Sequence, residues 1–135
     1  MIDAELESMV AAEIVALHQA FEDWFRGELD DLRRVELALS DDFTFISPRG
    51  DIVARNNLIR GLTESRGSRA IRIRIAEPVV KWRAAHAVLA TYEEWHDHAS
   101  YTTIRVSTVL LSRSGTAHGG ILWRHVHETW RTPPP

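Results

Sequence analysis

Cysteine is absent, which excludes disulfides, thiolate metal ligands and a thiol nucleophile, so any chemistry must come from other side chains. No apolar run approaches the roughly 18 to 20 residues that cross a bilayer. The amino terminus, Met1-Ile2-Asp3-Ala4-Glu5, is acidic where a secretory signal is basic. A cytoplasmic protein with no membrane partner is expected. The 16 basic residues are scattered among 19 acidic ones for a net charge of −3, without a long basic run. That distribution leaves no electrostatic footprint for a phosphate backbone, and no nucleic-acid partner is expected. Neither a phosphate-cradling glycine loop nor a serine elbow is present, and no cofactor motif stands out.

What the chain does contain is average for a globular protein, with 44% hydrophobic and 26% charged residues over 135 positions. That length suits a single domain, 1–135, with Thr132-Pro133-Pro134-Pro135 as a stiff, non-pairing tail. Leu6, Val10, Ile14, Leu17, Phe21 and Trp24 recur at steps of three and four, which predicts a helix over about 4–26, capped by Asp3 and ended by Gly27. A short second helix carries Leu32, Val35 and Leu39 and stops at Ser40-Asp41-Asp42, where side chains compete for backbone hydrogen bonds. Phe43 to Ser47 reads as a strand entering a tight turn at Pro48-Arg49-Gly50-Asp51, and Ala54 to Glu64 as a third helix. Beyond it the period changes to two. Strands are predicted over 71–75 and 79–82, broken by Pro78, and then as a meander over 87–96, 102–112 and 121–130, with turns at 97–100 and 114–118. Helices first and a meander last predict an α+β fold, an antiparallel sheet covered by helices on one face.

Four segments carry a resemblance across most of the chain: the helix end Phe21-Glu22-Asp23-Trp24-Phe25-Arg26-Gly27, the strand entry from Leu39 to Gly50, the run Thr91-Tyr92-Glu93-Glu94-Trp95, and the closing Trp123-Arg124-His125-Val126-His127-Glu128-Thr129-Trp130. In order and spacing they resemble the nuclear-transport-factor-2-like superfamily, in its SnoaL-like and calcium/calmodulin-dependent kinase association-domain branches. The resemblance implies a cystatin-like cone, with a long N-terminal helix packed on a curved antiparallel sheet that leaves a pocket and often dimerises through its outer face. It implies little about activity, because that fold hosts isomerases, dehydratases, hydrolases and assembly domains.

Strand alternation converts the resemblance into residues. By similarity to the strand pattern of ketosteroid isomerase, Tyr92, Glu94, Arg105, Ser107, Val109, Val126, Glu128 and Trp130 face the pocket, with Trp24 at the helix end and Phe45 completing it. The isomerase's acidic pair is not reproduced: Ser107 falls about where one acid would lie, and the early helices show no matching base. On the opposite face Trp95, Ile104, Val106, Leu110 and Trp123, with His125 and His127, form an apolar surface too large to leave wet, and a homodimer through it is expected.

Glu94, Arg105 and Glu128 are expected to meet beside Tyr92. Desolvation there would raise one glutamate for acid/base work, with Glu94, Glu128 and Tyr92 as the candidate catalytic groups. Alternatively a Glu–Arg–Glu network merely satisfies its own charges. His96/His98 and His125/His127 are two H-x-H pairs capable of holding a metal, but alternation puts them on opposite faces, and no metal site is expected. Three functions stay open: a homodimeric binding domain for a small organic ligand with a semi-polar pocket, a cofactor-independent isomerase, dehydratase or hydrolase, and an assembly module.

Overall fold

A computed structural model describes residues 4–115 and 117–135. Helix α1, Ala4–Phe25, buries Leu6, Val10, Ile14, Leu17 and Trp24 along one stripe. Its expected cap, Asp3, lies outside the described residues. The helix ends in a Schellman turn: Glu28 N–H reaches Asp23 O at 2.8 Å and Gly27 N–H reaches Trp24 O at 3.0 Å, with Gly27 at φ 77°. Helix α2 spans Arg33–Ala38, strand β1 Leu39–Ile46, strand β2 Ile52–Ala54 and helix α3 Arg55–Thr63. Ser40-Asp41-Asp42 is therefore the opening of β1 rather than a turn. Ser40 Oγ donates to Asp42 Oδ1 at 2.6 Å within an irregularity where the pairing with the last strand shifts between Leu39 and Thr44.

The remaining strands are long: β3 Arg72–Arg83, β4 Ala87–Asp97, β5 Thr102–Arg113 and β6 Ile121–Thr132. Pro78 does not break β3. Its strand is an edge, and a bulge between Ala76 and Val79, with Glu77 at φ 54°, absorbs the missing donor. Sheet order is β2-β1-β6-β5-β4-β3. The meander β3 to β6 is antiparallel, whereas β1 lies parallel to β6, a pairing that chain order alone did not disclose. The result is an α+β fold, a long helix packed on a curved, unclosed sheet.

Three buried polar residues of α1 fasten it to that sheet. Glu13 Oε2 accepts the Trp123 indole N–H at 3.0 Å while its Oε1 accepts Arg34 Nη2 at 2.8 Å. Glu22 Oε1 accepts the Ile73 backbone N–H at 2.7 Å. His18 reaches Glu94 on β4. Desolvating these groups is costly unless each is paired, so the pairs select one docking position for the helix.

Strand alternation holds along β4 and β5 and fails in β6. Leu110 pairs with His125 but Leu111 pairs with Trp123, leaving Arg124 as an extra residue that reverses the alternation. Trp123, placed on the outer face by alternation, is consequently an inner residue at 1% exposure. Trp82, on the edge strand β3, is 55% exposed. Among the described residues no helix is long and apolar enough to cross a membrane.

Candidate functional site

Between α1 and the concave face of the sheet lies a cavity of about 140 Å³. Its walls are apolar, from Leu17, Phe21 and Phe25 of α1, Leu39, Phe43 and Phe45 of β1, Leu58 of α3, and Ile73, Trp123 and Val126. Its polar side gathers His18, Tyr92, Glu94, His96, Arg105 and Glu128. Alternation delivers Tyr92, Glu94 and His96 to this side as positions i, i+2 and i+4 of β4. The register places Glu94 opposite Arg105, and Tyr92 opposite Ser107, which in turn faces Glu128.

Of the ten residues expected to form a pocket, Phe45, Tyr92, Glu94, Arg105, Val126 and Glu128 line this cavity. Trp24 does not: its indole N–H donates to Leu62 O at 2.6 Å within the core. Ser107 and Val109 are wholly buried behind the lining. Trp130 lies under Arg105, whose guanidinium carbon sits 4.8 Å from the ring centroid. His18, His96 and Trp123 were not in the expected set. His96 was legible, two residues beyond Glu94 on the same face. His18 was not, because helical spacing alone could not say that this polar residue beside the apolar stripe turns inward.

The two glutamates do not share Arg105. Glu94 spends both oxygens on imidazoles: Oε1 lies 2.9 Å from His18 Nε2, and Oε2 hydrogen-bonds His96 Nε2. Glu128 takes the arginine, accepting from Arg105 Nη1 at 3.2 Å on Oε1 and from Ser107 Oγ at 3.3 Å on Oε2. The Glu–Arg–Glu arrangement is thus replaced by a His–Glu–His cluster beside a Glu–Arg pair.

Hydrogen-bond geometry assigns the proton on His18. Its Nδ1 lies 2.8 Å from Ile14 O, a pure acceptor, so Nδ1 carries hydrogen. Nε2, facing Glu94, can then bond a carboxylate only if it too is protonated. Burial pulls the His18 imidazole down, but the charge and hydrogen bond of Glu94 outweigh it and hold the ring above its ordinary value. Burial likewise pushes Glu94 up, yet His18 and His96 together keep its carboxyl well below the usual range. Glu128 has the opposite balance: burial first, then the charge of Glu94, outweigh Arg105 and raise it to about 8. Burial and the two carboxylates also push the Tyr92 phenol well above its usual range, so it stays a neutral hydroxyl. The cluster therefore pairs a fixed carboxylate, Glu94, with a carboxyl that exchanges its proton near neutrality, Glu128.

A helix-covered curved sheet enclosing such a cavity defines the nuclear-transport-factor-2-like fold. No family model matches the chain. An NTF2-like protein of unknown function from Pseudomonas aeruginosa superposes with a TM-score of 0.84 at 26% identity, covering 90% of this chain and 98% of that one. The CaMKII hub of S. rosetta superposes with a TM-score of 0.73 at 13% identity, covering 96% and 98%. In sequence, the chain is 27% identical over 139 residues to sucrose-phosphatase 1 of Nicotiana tabacum, covering 96% of this chain and 33% of the enzyme. It spans about a third of the length of the curated relatives it matches. Further neighbours with the same fold are an NTF2-like protein, a ketosteroid-isomerase-like protein and a CaMKII association domain, in keeping with the fold that the sequence resemblance implies.

The raised Glu128 carboxyl makes stability depend on pH. In the unfolded chain this group loses its proton near its ordinary value of 4.5, whereas in the folded protein it does so near 8. Its contribution to stability is therefore complete below 4.5 and is lost as pH rises toward 8. Glu128→Gln, which cannot ionise, is expected to gain stability relative to the parent progressively between about pH 5 and pH 8. Urea unfolding at several pH values checks this, and a stability difference independent of pH would contradict it.

Proposed function

We propose that this chain is a small-molecule-binding domain acting as a homodimer, in which each subunit offers one semi-polar cavity to an organic ligand. The observation that carries the reading is the open space itself: buried ionisable groups converge on a cavity of about 140 Å³ that the protein's own side chains do not fill. Apolar walls with a few convergent polar groups and perturbed acidities are the usual form of a ligand site. A panel of small organic compounds, followed by the NMR shifts of the Trp123 indole and the Val126 methyls, is expected to include binders that perturb those signals. Val126→Phe, which fills the cavity, is expected to abolish the effect. Perturbations confined to other surfaces would refute the reading.

Glu128 favours a second reading, a cofactor-independent isomerase, dehydratase or hydrolase. A carboxyl raised to about 8 beside an apolar cavity suits proton transfer, with Tyr92 as a hydrogen-bond donor. Glu94 is the poorer base, since His18 and His96 hold its carboxyl well below the usual carboxylate range.

The dimer rests on the outer sheet face. Trp95, Ile104 and Val106 are half-buried there, Leu110 is 38% exposed, and His125 and His127 follow on β6. The hub and association-domain neighbours share this fold, which also supports assembly. Sedimentation is expected to give twice the 15.4 kDa chain mass. Val106→Asp, which sets a charge in the middle of that face, is expected to give the single chain mass. A parent protein that sediments as a monomer would exclude the dimer.

A further inference from the structure

Resting on the reading of this cavity as a ligand site, we infer that its ligand is a small organic carboxylate, with the anionic group against Arg105 and a short aliphatic or single-ring body among the phenylalanines. Three observations carry this inference.

The first is the size and lining of the space. At about 140 Å³ the cavity is well below the roughly 300 to 1,000 Å³ of drug-sized sites, which limits the occupant to a small molecule. Its lining combines Phe21, Phe43, Phe45 and Leu58 with Arg105 and Glu128. The occupant must therefore be amphipathic, with one polar end.

The second is the state of the arginine. Its Nη1 reaches Glu128 at 3.2 Å, longer than the roughly 2.7 to 2.9 Å of a strong charge-assisted bond. Among the described residues its Nε–H is buried without an acceptor. One guanidinium face rests on Trp130 at 4.8 Å, which fixes the plane of the fork. A guanidinium held in position with donors to spare is matched by a planar, bidentate acceptor, and a carboxylate is that acceptor.

The third is the charge balance over every group that faces the pair. From α1, His18 is cationic; from β4, Glu94 is anionic, bonded on both oxygens by His18 and His96, and Tyr92 is neutral. From β5, Arg105 and Ser107 approach Glu128 on β6, which holds its proton up to about pH 8. His18 and Glu94 cancel, so below that pH the arginine charge has no anion to offset it. A cationic ligand would add charge of the same sign in a desolvated space. A phosphoryl dianion would bring a second negative charge toward Glu94. A monocarboxylate closes the balance.

The test is calorimetric titration of the intact protein with benzoate and hexanoate against benzamide and 1-hexanol, with the Trp123 indole NMR signal reporting cavity occupancy. At pH 6.5 the carboxylates are expected to bind at least tenfold more tightly than their neutral counterparts. That advantage should disappear as pH rises through 8, where ionised Glu128 takes over the arginine. Arg105→Gln is expected to remove the carboxylate advantage while leaving neutral binding in place. Neutral compounds that occupy the cavity as tightly as the carboxylates would overturn this inference and leave the binding reading standing. Carboxylate preference that survives in Arg105→Gln would overturn the assignment to Arg105. If none of the four compounds reaches the cavity, as judged by an unmoved Trp123 signal, the inference fails, and the compound panel then decides whether the binding reading fails with it. The comparison on the parent protein decides the matter even if the variant does not fold.

Discussion

A carboxylate taken out of water is the constraint around which this structure is arranged. Glu94 is buried on the concave face of the sheet, where an unpaired charge would cost several kcal/mol even after relaxation. It is tolerated because His18 arrives from the helix and His96 from its own strand, one imidazole to each oxygen. Burial, and after it the negative charge of Glu94, disfavour ionisation of the neighbouring Glu128. Glu128 is left to retain its proton although an arginine stands beside it. Two carboxyl groups of one residue type thereby acquire different roles from their surroundings alone.

That arrangement requires α1 to dock in one register. An apolar stripe can slide or roll on a sheet at modest cost, since burial is not directional. Glu13, His18 and Glu22 restrict it: the first holds the Trp123 indole and Arg34, the last holds a backbone amide of β3, and the middle one reaches the site. Removing the partner of any of these buried groups leaves another unsatisfied, so the helix position and the electrostatics of the cavity are linked. The bulge at Arg124 serves the same end by turning Trp123 inward, where it meets both Glu13 and the cavity.

Most of the architecture was legible because it follows from local periodicity. The helical stripe from Leu6 to Trp24 and the alternation of β4 and β5 are local properties of the sequence; alternation put Tyr92 and Glu94 on one face, and the resemblance to ketosteroid isomerase added Arg105 to it. What was not legible depends on relations between distant segments. Nothing near Arg124 distinguishes a bulge from continued alternation, because a bulge is a property of the pairing with β5. The parallel pairing of β1 with β6 joins segments about 80 residues apart, as in Thr44 with His125. The role of His18 depends on what lies opposite it in space. Arg105 was assigned to both glutamates for the same reason: alternation gives a face but not which neighbour each donor chooses.

The central claim is that one proton is held unequally between two neighbouring carboxyls and that His18 decides which of them keeps it. Carbon-13 NMR titration of the glutamate side-chain carboxyls, in the parent protein and in His18→Gln, tests this most directly. The prediction for the parent is that Glu128 titrates near 8 and Glu94 stays ionised well below the usual carboxylate range. In His18→Gln the Glu94 transition moves upward, because its carboxylate has lost the cation and the hydrogen bond that help to hold it ionised. A parent Glu128 that titrates near its ordinary value of 4.5, or a Glu94 that holds the proton at neutral pH, would contradict it.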